Sequence, residues 1–443
     1  MRETRRFAAA MVLAGAMLVA GAAVGGLRGR PEQAGAPVFP SALGSMPSGP
    51  RGVGGLDATV AQLQDRLRVV PTDWRAYASL GLAYLQEGRL TADPAWYPRA
   101  ERVLDRSLAL EGTENFEALL GMGVLSLGRH DFAGALEWGR RARAVNPYNA
   151  DARGVIGDAL VELGRYPAAA RAYQAMIDTR PNLSSYARVS LYRELTGDVP
   201  GAVEAMAQAV ELAATPEDAA WAGYHLGELH FGSGRLAPAA RAYRAGLASG
   251  PGVLPRVGLA RIAAARGELA RAAHLLSGVV RRYPAPEFVI LLGDVHAAAG
   301  HRELAAEQYD LVRAMERLYR SGGVDTDLEM ALFDADHGFG SEALERARAA
   351  YRRRPGVTAA DALAWALHAE GRNRVADRYA REALRLETRN ALFHFHAGMI
   401  AFRLGRTDGA RRLLGEALRI NPHFSLLHAD TARRVLDRLE GRR

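Results

Sequence analysis

Asp325, Asp327, Glu329, Asp334, Asp336 and His337 fall in one short stretch, and carboxylates beside an imidazole are the residue types that hold divalent cations or pass protons. At helical spacing, however, these side chains point to different faces. The reading adopted is helix-end solvation and N-capping, with an envelope enzyme or metal-binding subunit built on 325–337 as the alternative. His394 and His396 flank Phe395; as i and i+2 on a helix they diverge and cannot chelate one ion together. No HExxH, GxSxG or phosphate-loop pattern occurs, and the Gly232-Ser233-Gly234 run is explained by the end of a helix.

Missing residue types exclude more. All 57 basic residues are Arg, so there is no phosphate-loop lysine, no Schiff-base lysine and no SxxK nucleophile pair. With Cys at 0, disulfides, thiol nucleophiles, thiolate metal sites and lipid-modified cysteines are excluded as well. No catalytic residue, metal ligand or cofactor is assigned, and the expectation is a protein that is not an enzyme. The formal charge of +8 could suit nucleic acid, but the Arg residues are scattered along every helix. They read as solvated faces and local ion pairs rather than a phosphate-binding surface.

The elements that position these residues are helices. Hydrophobic content of 49% over 443 residues can bury a large core, and an Ala- and Arg-rich chain with little Val and Ile favours helix over strand. Arg2, Arg5 and Arg6 precede an uncharged apolar run from Phe7 to Leu27, the pattern of a membrane-targeting segment. Residues 1–27 are therefore expected to be a signal peptide, with Ala20-Gly21-Ala22 suited to cleavage, or an uncleaved membrane anchor. Residues 28–55 turn to Pro, Gly and Ser and read as a flexible tether. In either case the bulk of the chain is expected to be extracytoplasmic.

From residue 56 to 424 the sequence is periodic. Small residues recur from Gly81 to Gly398 about every 34 residues, and seven places after each stands Gly: Gly88, Gly128, Gly164, Gly197, Gly234, Gly267, Gly300, Gly338, Gly371 and Gly405. With 47 Gly in 443 residues, one such match was expected by chance. Twelve places after the small residue, the last eight repeats carry Ala: Ala169, Ala202, Ala239, Ala272, Ala305, Ala343, Ala376 and Ala410. At an offset of 24, Pro falls at Pro181, Pro251, Pro284, Pro355 and Pro422. Each offset has a reason: the small residue and the Ala let two helices approach, Gly ends the first helix in the left-handed region, and Pro ends the second.

Repeat three, with Ile156, Gly157, Leu160, Gly164, Tyr166, Ala169, Tyr173 and Pro181, closely resembles a tetratricopeptide repeat. The resemblance covers Trp74 to about Phe424. Segments such as Asn421-Pro422-His423-Phe424-Ser425 are similar to those of exported or membrane-anchored bacterial tetratricopeptide proteins. The fold class implied is all-α, a right-handed α-solenoid of about ten helix-turn-helix repeats. Ala58 to Val70 reads as an unpaired second helix before it, and residues 425–443 as a closing helix and tail. Extra residues at 91–98 and 129–132 should lengthen the turns of the first two repeats. A solenoid of this kind is expected to lean on neighbouring repeats alone, without long-range contacts.

The resemblance also implies a concave groove lined by first helices, with the second, fifth, ninth and twelfth places of each repeat facing inward. The candidate partner-binding residues are then Trp221, Tyr224, Glu228 and Phe231 of repeat five, Arg261 and Asp294 of repeats six and seven, and Asp361, Trp365 and His368 of repeat nine. Leu392, Phe395, Met399 and Phe402 of repeat ten should instead be covered by the closing helix. The expected partner is a protein or peptide, the membrane being met through the N-terminal segment only. The carboxylate-clamp mode of this family, which uses Lys and Asn at inward places, has no matching residues here.

Overall fold

Antiparallel helix pairs repeat along the chain from end to end. The structure, a computed structural model, describes residues 55–250 and 252–441; the apolar leader, nearly all of the tether and Pro251 lie outside the described residues. Among the described residues there are 22 α-helices and no strand. Leu56–Val69 comes first. Ten pairs follow, from Trp74–Thr91 with Trp96–Leu110 to Ala391–Arg403 with Thr407–Ile420, and Ala429–Leu439 ends the series. The closing helix thus starts four residues after Ser425, whose Oγ accepts from the backbone N–H groups of Leu427 and His428 instead.

Local chemistry sets the boundaries. Asp73, Asn115, Asn149, Asn182, Thr215 and Asn390 cap first helices through side-chain oxygens that accept backbone N–H groups. Pro181, Pro284, Pro355 and Pro422 each stand just past the end of a second helix. Within a pair the approach is as close as the small residues allow: a Cβ on Gly157 would lie 2.3 Å from Tyr173, and one on Gly227 2.2 Å from Tyr243. Ala169, Ala202 and Ala239 are fully buried in the same seams.

Eight of the ten register glycines, Gly164 to Gly405, have positive φ and end their helices as expected. Gly88 and Gly128 do not. Gly88 lies inside Trp74–Thr91 and Gly128 is the last residue of Phe116–Gly128, while the left-handed positions fall at Ala92 (φ 54) and His130 (φ 60). The extra residues carry each turn past its glycine. A non-glycine in this region costs roughly 1–2 kcal/mol. Both turns are held by groups distant in the chain: the Tyr319 hydroxyl donates to Ala92 O at 3.1 Å, and the Asp325 N–H to Arg129 O at 2.9 Å.

Those bonds belong to a seam that corrects the expectation of neighbour-only contacts. The Tyr283 hydroxyl donates to Arg89 O, Arg129 Nε to Gly322 O, the Val357 N–H to the Tyr166 hydroxyl, the Thr388 hydroxyl to Leu195 O, and Asn421 Nδ2 to Phe231 O. The partners are 190 to 194 residues apart, about five and a half repeats. The solenoid has therefore completed a superhelical turn, and the loops within repeats one to five rest on the loops between repeats six to ten. Apolar packing crosses with them, since Val357, Ala360, Ala383 and Phe393 join the core of the first three repeats. Glycine makes this approach possible at three points: a Cβ on Gly164 would lie 2.6 Å from Pro355 O, one on Gly197 2.6 Å from Glu387 O, and one on Gly322 2.8 Å from Pro94 O.

Candidate functional site: the inner face of the superhelix

First helices touch one another along most of the chain, as Val357–Ala369 touches both Asp327–His337 and Ala391–Arg403, and so they form the inner wall. A repeated device appears there. The residue after the small position is acidic in repeats three, five and seven, and a tyrosine fifteen residues on, from the second helix, donates its hydroxyl to it: Tyr173 to Asp158, Tyr243 to Glu228, Tyr309 to Asp294. A cationic or imidazole side chain from the next first helix completes each set. Arg188 grips Asp158 with two bonds of 2.8 Å, Arg261 pairs with Glu228, and His337 Nε2 stands 3.4 Å from Asp294. Burial pushes the Asp158 carboxyl above its usual range, with Arg188 opposing.

Further charged clusters tie repeats together. Asp334 meets Arg313 and Arg346, and Arg346 also meets Glu316. Arg354, fully enclosed, donates to Glu329 at 2.9 Å and lies 3.6 Å from Glu162 of repeat three, so this ion pair spans the superhelical turn. Burial lifts Glu162 to about 7 despite Arg354, whereas at Glu329 the attraction of Arg354 and His130 outweighs burial and the carboxyl is held low.

The nine inward residues expected from the repeat register occupy three places rather than one groove. Tyr224, Glu228, Phe231 and Arg261 form one cluster, with the Arg261 guanidinium 4.3 Å above the Phe231 ring; Trp221 packs beside it against Leu183, Ala187 and the His225 ring. Asp294 lies with Tyr309 and His337. Asp361, Trp365 and His368 gather in a third place with His396 and His428. Trp221, Tyr224, Phe231, Asp294, Asp361 and Trp365 are buried, and Glu228, Arg261 and His368 keep partial exposure. The reason is that adjacent repeats close over them: Leu183 and Ala187 of repeat four cover Trp221, and Asp336 of repeat eight and His396 of repeat ten enclose Trp365. Phe395 is covered as expected, by Phe424 and by His428 at the entry of the closing helix.

In the third place the Trp365 ring stacks between His368 and His396, at 4.8 and 4.2 Å, and its N–H donates to Asp336 at 2.5 Å. His396 Nδ1 lies 2.9 and 3.0 Å from the two oxygens of Asp361. His428 Nε2 is 3.3 Å from Asp336. Burial draws His368 down to about 4, pulls His428 well below its ordinary value and pushes Asp336 well above its own. The spacing of His394 and His396 gives no sign of this pairing, because the two side chains diverge. The partner of His396, Asp361, is 35 residues away, and a search for pairs one period apart would have found it.

Such an arrangement defines a class first: a helical-repeat solenoid that presents surface, held by internal ion pairs. The sequence profile described as tetratricopeptide repeat matches residues 140–184, 257–319 and 362–423. The matched stretches are tetratricopeptide repeats, and the described helix pairs form a solenoid of that type; proteins of this fold are typically non-enzymatic scaffolds that bind proteins or peptides. A 225-residue stretch is 29% identical to cellulose synthase 1 operon protein C of Komagataeibacter xylinus, covering 48% of this chain and 16% of that protein. Among solved structures, the Cut9–Hcn1 hetero-tetramer of APC/C is similar with a TM-score of 0.45 and 17% identity, over 82% of this chain and 62% of that one. A thermophilic TPR protein of Thermus thermophilus is similar with a TM-score of 0.36 and 24% identity, over 40% of this chain and 92% of that one.

Proposed function

We propose that the chain is a protein-binding scaffold of a cell-envelope assembly, carried across the membrane by its basic-apolar leader at residues 1–27. The observation that carries the envelope reading is the 225-residue likeness to a cellulose synthase operon protein. The leader agrees with it: three Arg followed by an uncharged apolar run is an export pattern. Among the described residues no helix is long and apolar enough to cross a membrane. A periplasm-active reporter fused after Arg443 should be active and should lose activity when residues 1–30 are deleted; activity confined to the cytoplasm removes the envelope reading.

Partner contact is assigned to the inner face at Glu228, Arg261 and His368, the members of the expected groove that keep exposure. The six buried members act by holding that face in shape. Arg261→Ala and His368→Ala should each cut capture of a peptide or protein partner from cross-linked membranes by about tenfold while the circular dichroism spectrum stays helical. Trp221→Ala and Trp365→Ala should lower stability by about 3–5 kcal/mol, because each leaves a large cavity. Undiminished capture by both polar variants would move the partner to another surface.

A further inference from the structure

We propose that Asp336, His396 and His428 bind a divalent transition-metal ion of the Zn²⁺ class, and that this ion fastens the closing helix to the solenoid. The proposal does not rest on the scaffold reading. One ligand atom from each of the three residues lies within 4.8 Å of the others, and all three residues are buried. They come from repeat eight, repeat ten and the residue before the closing helix Ala429–Leu439.

The donor set is prepared for a cation. His396 is completely enclosed and gives its Nδ1–H to Asp361, which fixes the tautomer and leaves Nε2 as a bare lone pair; that Nε2 has no hydrogen-bond partner. A carboxylate behind the distal nitrogen of a buried imidazole is the usual support of a metal-ligating histidine. Asp336 receives the Trp365 N–H, which aims the carboxylate. A tetrahedral ion with bonds near 2.0 Å needs donors ~3.3 Å apart. His428 Nε2 and Asp336 already stand at 3.3 Å, so closure asks only that His396 move in. Two imidazoles and one carboxylate, in a chain without thiolates, suit Zn²⁺ and its first-row neighbours rather than Ca²⁺ or Mg²⁺.

Charge balance points the same way. Elsewhere on the inner face Asp158, Glu228 and Asp334 each have an Arg partner. Among the described residues Asp336 and Asp361 instead have Trp and His partners, and a buried carboxylate so placed is costly unless a cation is supplied. A divalent ion supplies it, with a water as the fourth donor, and because its ligands join repeats eight and ten to the closing helix the role assigned is structural.

The test uses the full chain, stripped with a chelator and titrated with Co²⁺ and then Zn²⁺. One equivalent of Co²⁺ should bind with visible absorption of a low-coordinate nitrogen–oxygen site, Zn²⁺ should displace it, and Zn²⁺ in hundredfold excess over its Kd should raise the melting temperature by several degrees. His428→Ala should abolish binding, Asp361→Asn should weaken it about 10- to 100-fold, and His394→Ala should leave it unchanged. Wild-type protein that takes up no stoichiometric ion overturns the proposal. So does full binding by folded His428→Ala. Should that variant unfold, the wild-type Co²⁺ spectrum and melting shift decide alone.

Discussion

Glu194 shows what burial does to a single side chain on the inner wall. Desolvation lifts its carboxyl to about 7 from the ordinary 4.5. The folded protein thus holds this proton more tightly than the unfolded chain. The stability it contributes is complete below about pH 4.5, falls as pH rises toward 7 and is gone above it, a change of about 3 kcal/mol. Glu194→Gln should be close to wild type at pH 4 and more stable by about that amount at pH 8, measured as urea midpoints. An equal gain at both pH values would mean the carboxylate is solvated. The position was legible as the twelfth place of repeat four; its isolation was not, because that depends on what the superhelical turn lays over it.

At the scale of the helix pair, two opposing effects can be weighed against each other. Gly to Ala inside a helix gains about 0.5–1 kcal/mol from propensity and chain entropy. Overpacking a seam costs about 1–3 kcal/mol. At Gly278 nothing lies within 4 Å of a new Cβ, so Gly278→Ala should raise stability by about 0.5–1 kcal/mol. At Gly157 the new Cβ meets Tyr173, which cannot retreat because its hydroxyl is bound to the enclosed Asp158. Overpacking wins there, and thermal melts should show Gly157→Ala losing about 1–2 kcal/mol. Equal effects at the two sites would place the seam elsewhere. The register that distinguishes them is sequence information, since both glycines sit at known offsets from their helix ends.

Across the whole molecule, contacts over 190 to 194 residues join the two ends of the solenoid into one unit. A simple repeat array can open piecewise from its ends. Here the loss of one seam bond should be felt in both turns. Tyr166→Phe removes the acceptor of the buried Val357 N–H and should cost about 1–3 kcal/mol. Hydrogen exchange should then quicken both in Tyr166–Thr179 and in Val357–Ala369; faster exchange confined to one of them would mean the turns unfold independently.

The sequence by itself determined the helices, their pairing and their count, because those depend on residues close in the chain: Gly164 to end a first helix, Ala169 and Gly157 to let a second one approach, Pro181 to stop it. It also marked Trp365 and Asp361 as inward. It did not reveal that inward meant buried, nor that Arg354 would reach Glu162 or His428 would reach Asp336. These follow from the rotation of each repeat on the last, a small angle set by side-chain volumes along the entire seam. Summed over five and a half repeats, that angle decides which distant loops meet. Only the tertiary structure carries the sum, and it turns the open groove implied by the repeats into a closed wall of ion pairs and rings.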